Sequence, residues 1–213
     1  MRFLVGTLVL VGLLGGASPS RGQDARQYGL TLGMNRVTMQ SSAALDGYFA
    51  AVGGAMVRQP LAGPLSAQAE LLLNQKGTRV EGEQGGAIDY GAGYLELPLL
   101  LHLQAPSVRS VTVHGEAGGF GAVKIFERQT PGGGDLNVSF DGGTSFYRRT
   151  DAGVVAGVGV ALPVGDSRLN LTVRRAWGLR DVTRNVTEQP FSRAPFPSNG
   201  ETRTWSLLLH LGL

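Results

Sequence analysis

The chain has 213 residues, of which 33 are Gly and none is Cys, and its mean hydropathy is close to zero. Gly at about twice its usual ~7% argues against a helix-rich fold, where each interior Gly costs about 1 kcal/mol; the absence of Cys excludes a disulfide scaffold. The formal charge of +3 falls to +1 once Arg2 and Arg21 are set aside, leaving 17 basic against 16 acidic residues, so charge gives no argument for nucleic acid.

The N-terminus reads as an export signal. Arg2 is a short positive region, Phe3 to Leu14 is a 12-residue apolar run, and small residues follow in "GGASPSRG". The run is shorter than the ~20 residues a membrane-spanning helix needs, so residues 1–22 are expected to be removed after export. Residues 23–213 are then one domain, since no composition break divides them.

Beyond Gln23 the recurring pattern has period two, the mark of strands with two different faces. Eight such runs are expected, at about 27–37, 47–59, 64–77, 88–104, 108–126, 150–163, 168–180 and 202–213. In "LSAQAELLLNQK" Leu65, Ala67, Ala69, Leu71 and Leu73 alternate with Ser66, Gln68, Glu70, Asn74 and Lys76, and only Leu72 breaks the rule. In "GYLELPLLLHLQ" Leu95, Leu97, Leu99, Leu101 and Leu103 oppose Glu96, Pro98, His102 and Gln104, and Pro98 argues against a helix. "RLNLTVRRAWGL" and "TRTWSLLLHLGL" repeat the alternation near the C-terminus.

Short connectors near 60–63, 105–107 and 165–166 alternate with long polar ones at about 38–46, 78–87, 127–149 and 181–201. An even strand number with short turns at one end and long loops at the other is the pattern of a membrane β-barrel. The expected fold is therefore all-β, an eight-stranded antiparallel transmembrane up-and-down barrel. Its leucine faces meet lipid, and the acids point into a polar lumen. Trp177, Trp205, Tyr28, Tyr48 and Tyr94 are candidates for the membrane interfaces.

"LSAQAELLLNQKG" followed by "YLELPLLLHL", then "HGEAGGFGAVK", "TDAGVVAGVGVAL" and "TWSLLLHLGL", resembles the PorT-like family of small outer-membrane β-barrels from about Tyr28 to Leu213. The resemblance implies an outer-membrane barrel of a Gram-negative bacterium, in a family mostly without an assigned biochemical activity; no cofactor is expected.

The inner wall suggests an ionic network. A two-residue turn at Gly165–Asp166 places Asp151 opposite Arg180 and Gly157 opposite Arg174. A three-residue loop at Pro106 places Glu96 opposite Glu116, two acids that need a basic neighbour. Glu70, Glu96 and Glu116 are expected to join Arg174 with Lys76, Lys124 or both. These groups fill an interior that, in an eight-stranded barrel, is just wide enough for side chains. A narrow proton or ion path and paired-acid glycosidase chemistry are weaker readings of the same residues. His102, His114 and His210 show no ligand-like spacing, so no metal site is expected, and "GGFGAVK" lacks the spacing of a phosphate-binding loop.

The expected role is structural or interactive at the cell surface, without enzymatic activity. The partners are outer-membrane lipid and an unknown protein or surface ligand met by loops 127–149 and 181–201, where Tyr147 and Phe191 add aromatic character. Three rivals remain: a lipid-modifying enzyme on the same barrel, a narrow pore, and a soluble lipocalin-like barrel with its two faces reversed.

Overall fold

The computed structural model describes residues 26–40, 48–81, 87–108, 110–131, 137–139, 147–165, 167–181 and 201–212. The strands are β1 (Gln27–Gln40), β2 (Tyr48–Ala62), β3 (Leu65–Glu81), β4 (Ala87–Gln104) and β5 (Thr112–Pro131), then β6 (Asn137–Ser139), β7 (Thr150–Val164), β8 (Ser167–Asp181) and β9 (Glu201–Gly212). All neighbours pair antiparallel, β5 pairs β7, and β9 returns to β1, which closes an eight-stranded barrel. The three-residue β6 hangs on the far end of β5 through Gln129↔Asn137 to Glu127↔Ser139, inside a segment that the sequence pattern reads as loop.

The two faces divide as the period-two pattern requires. Leu30, Leu32, Met34, Leu101, Leu103, Leu207 and Leu209 lie exposed on the outside, while Thr31, Asn35, Glu70, His102, Asn170 and His210 are buried within. A soluble barrel needs the opposite arrangement, because water outside favours polar groups there. Leu72, the residue out of step with its strand, points inward and forms a small apolar cluster with Val52 and Leu208.

The glycines have a packing role as well as a turn role. On β7, Gly153, Gly157 and Gly159 lie directly opposite Phe120, Glu116 and His114 of β5. A β-carbon at each would press on those side chains, at 2.5 Å from the Phe120 ring, 3.0 Å from Glu116 Oε1 and 2.6 Å from His114 Nε2. A lumen this narrow accepts large groups from one strand only where its neighbour supplies none. At the tight turns, Gly63 and Gly165 have φ of +53° and +59°, the left-handed region that glycine enters at little cost.

One hairpin differs from expectation. The connection after β4 is not a three-residue loop but spans Ala105 to Val111, with a Val108↔Val111 bridge and Ser110 at φ +70°. Glu96 therefore faces Ala122, and Glu116 faces His102, so the two glutamates are not opposed. The Gly165 hairpin has the expected register, with Gly157 opposite Arg174, Val158 opposite Val173 and Leu162 opposite Leu169.

Candidate functional site: an ion-lined lumen

Period-two strands deliver one side chain in two to the interior, and the ring of eight strands stacks these residues in tiers. In the tier nearer the short turns, Arg174 of β8 is the hub. Its Nε donates to Glu116 Oε1 at 2.7 Å, and its two terminal nitrogens donate to Glu70 Oε2 and Oε1 at 2.7 and 2.8 Å. The Glu70 contact is the bidentate form that suits a planar guanidinium. Gln68 also donates to Glu70 Oε1, and Arg58 Nε donates to Gln68 Oε1 at 2.7 Å.

Lys76 is the hub of the second tier, six residues further along β3, or about 20 Å of extended chain. Its ammonium lies 2.6 Å from Asp151 Oδ2 and 3.3 Å from Glu96 Oε2. It also sits 4.8 Å from the Phe120 ring centre and 5.3 Å from that of Tyr94, within cation–π range. Asn35 donates to Asn74 at 2.6 Å, and Asn74 donates to Glu96 Oε2 at 3.1 Å, which supplies the acid with a second donor.

The residues expected to form one network thus fall into separate groups. Glu70 and Glu116 belong to Arg174, whereas Glu96 belongs to Lys76. Lys124 sits nearer the long-loop rim, bonded to Glu127 and donating to the Tyr147 carbonyl at 2.7 Å. The expected Asp151–Arg180 pair is absent. The β7–β8 ladder ends at Gly153↔Gly178, β8 goes out of register with β9 between Trp177 and Asp181, and Arg180 is exposed. Lys76 takes Asp151 instead.

The aromatic expectations divide in the same way. Tyr28 and Trp205 are exposed on the outer wall, but Tyr94 is wholly buried and donates its hydroxyl to the Arg148 carbonyl at 3.0 Å. Tyr147, expected on an exposed loop, is buried, and its backbone N–H donates to Glu127 at 3.0 Å. The Tyr48 side chain and most of the two long loops lie outside the described residues.

Sequence spacing misses one grouping. His102 on β4 and His114 on β5 stack, with ring centres 4.6 Å apart, and Glu116 completes a buried cluster whose ligand-type atoms all lie within 4.8 Å of one another. The clue lay in pairing rather than spacing: with the longer turn at Val108, His102 and Glu116 become cross-strand partners. All three histidines are buried in the lumen, on the opposite face from the one that carries the exposed leucines.

The chain belongs to the family described as outer membrane protein beta-barrel domain, which matches residues 18–184. Among solved structures it is similar to Neisserial surface protein A, with 10% identity over 88% of this chain and 99% of that one at a TM-score of 0.47. OprG from Pseudomonas aeruginosa is similar at 12% identity over 91% and 98%, TM-score 0.46. Ail of Yersinia pestis, solved with the heparin analogue sucrose octasulfate, is similar at 9% identity over 88% and 99%, TM-score 0.43. No curated protein matches the chain.

Proposed function

We propose that the chain is an exported outer-membrane barrel, of PorT-like kind, whose closed and ion-filled lumen makes it a rigid, non-enzymatic scaffold for its long surface loops. The observation that carries this reading is the contrast between the two walls: apolar side chains exposed outside, paired charges buried inside.

The outer wall also suggests where the membrane stops. Arg36 of β1 lies opposite Phe49 on one side and Trp205 on the other, and Arg175 of β8 lies opposite Trp205. The Arg175 guanidinium stands 4.7 Å from the Trp205 ring centre and 5.4 Å from that of Trp177. Below this row β1 presents Tyr28, Leu30, Leu32 and Met34. Eight residues at about 3.4 Å, inclined by about 40°, make an apolar band roughly 20 Å tall, close to the ~25 Å of outer-membrane barrels. An arginine–aromatic row at its upper edge suits the headgroup level, where amphipathic rings and cations settle.

The buried position of the three histidines favours this reading over a lipid-modifying enzyme, whose reacting groups must reach lipid. The tiers of ion pairs favour it over an open pore. Residues 1–22 are proposed to be cleaved on export, and loops 127–149 and 181–201 to meet a protein or surface ligand.

Cell fractionation followed by unheated and boiled gels tests the scaffold. The expected result is an outer-membrane band that shifts on boiling, with an N-terminus near Gln23, and cleavage by protease added to intact cells within the two loops. A soluble protein with no shift overturns the reading, as do discrete conductance steps of the purified barrel in a planar bilayer.

A further inference from the structure

We propose that His102, His114 and Glu116 form a binding site for a divalent transition-metal ion of the zinc class, set in the lumen just inside its short-turn end.

Three observations converge on it. The first is the donor set: two imidazoles and a carboxylate, with their ligand atoms gathered within 4.8 Å of one another. Imidazole with carboxylate oxygen suits zinc and its first-row neighbours, not magnesium or calcium. The second is that these donors are buried and unclaimed. Both nitrogens of His102, Nδ1 of His114 and Oε2 of Glu116 have no hydrogen-bond partner among the described residues. Buried polar atoms without partners cost about 1–3 kcal/mol each, and four in one spot are rare in a folded protein.

The third observation is that the other atom of each β5 ligand is already held, which aims the free one. Arg174 Nε grips Glu116 Oε1 at 2.7 Å and leaves Oε2 bare. His114 Nε2 lies 3.1 Å from Thr172 Oγ1. With the proton on Nε2 donated to Thr172, Nδ1 keeps its lone pair for the metal. A ligating histidine almost always gives its other N–H to such a partner, which fixes the tautomer and the ring. His102 comes from β4, directly opposite Glu116, so the ion joins two strands across the hairpin.

Access agrees with a cation here. Among the described residues of this tier the buried charges balance, Glu70 and Glu116 against Arg58 and Arg174. His102 is two residues from the end of β4, and His114 two from the start of β5, so the site lies about 7 Å of chain from the rim. The ligand atoms must close further, since two nitrogens on one zinc at about 2.0–2.1 Å sit roughly 3.4 Å apart. Turning the two stacked rings out of their near-parallel arrangement, now 28° between planes, provides that movement. Three protein ligands leave a fourth position for water or a small anion.

The test uses the full-length barrel without a polyhistidine tag, folded in detergent and checked by its shift on boiling. Titration with Co2+ alone is expected to give ligand-field absorption saturating at one ion per chain, reversed by Zn2+. His102→Phe, which keeps a stacked ring on His114, and Glu116→Gln are both expected to abolish it. Thr172→Val is expected to weaken binding by about tenfold or more. Glu96→Gln, in the other tier, should bind like the native chain. Zinc should also raise the unfolding temperature of the native chain but not of His102→Phe. The proposal is overturned if the folded native barrel binds no stoichiometric metal, or if His102→Phe binds it equally. Should His102→Phe not fold, His114→Asn is read by the same criteria.

Discussion

The ring of His114 occupies the space that a side chain on Gly159 would need: a β-carbon there would come within 2.6 Å of His114 Nε2 and 2.3 Å of the Leu171 carbonyl oxygen. The two residues are cross-strand partners on β5 and β7. Gly159→Ala is therefore expected to destabilise the barrel by about 1–3 kcal/mol, the usual cost of forcing atoms into a packed interior. The boiling-shift temperature on a gel reads the change. Gly121→Ala, on the outer face with nothing near the added carbon, should leave it unmoved.

Arg174→Gln removes the partner of Glu70 and Glu116 at once. Two carboxylates would stay buried without their ion-pair partner, so a loss of about 3–5 kcal/mol is expected in urea unfolding of the detergent-folded protein. Replacing Glu70, Glu116 and Arg174 together by apolar residues of similar volume should recover much of that loss. The cost lies in the uncompensated charge more than in the missing bonds. A single variant as stable as the native chain would show that the tier is not held by charge.

Leu72 sits at 2% exposure with Val52 and Leu208, a small apolar cluster on the inner wall. Leu72→Ala is expected to cost about 2–5 kcal/mol, the range for large-to-small changes at buried sites. Leu71→Ala, one residue away on the outer wall, should cost far less in detergent. Thermal unfolding of the two variants side by side separates the faces.

Arg175 and Val173 share the outer face of β8, two residues apart, with Trp205 and Leu207 as their partners on β9. If Arg175 marks the headgroup level, Val173→Arg puts a charge into the apolar band. Its cost is expected to rise toward about 2–4 kcal/mol with depth, whereas Arg175→Leu should change stability by no more than about 1 kcal/mol. Reversible folding into lipid vesicles measures both, and equal costs would place the membrane edge elsewhere.

The strands and their faces were legible because a membrane barrel puts unlike surroundings on its two walls, and the alternation of Leu95–Leu103 with Glu96 and His102 records the contrast directly. The Gly165 register was legible too, since a two-residue turn leaves little freedom in pairing. The β4–β5 register was not. Pro106 marks the bend, but the small bridge of Val108 with Val111 lengthens the turn beyond what its residues announce. The resulting slip moves Glu96 from Glu116 to Ala122, an even number of places, so every side chain keeps its face while exchanging its partner. Hydrophobic pattern cannot detect such a slip. The partners of Glu96 and Glu116, and the meeting of His102 with Glu116, were hidden for that reason alone.

The Arg174–Glu70 pair also bears on the order in which the chain takes shape. β3 and β8 stand four places apart in the ring of eight, on opposite sides of the lumen. Hairpins can form and dock in sequence without bringing these two residues together. The guanidinium is expected to reach its carboxylate when β9 meets β1 and the lumen closes. A pair that engages last would act as a latch, with its stabilisation expected to fall on the escape rate of the finished barrel rather than on the speed of its formation.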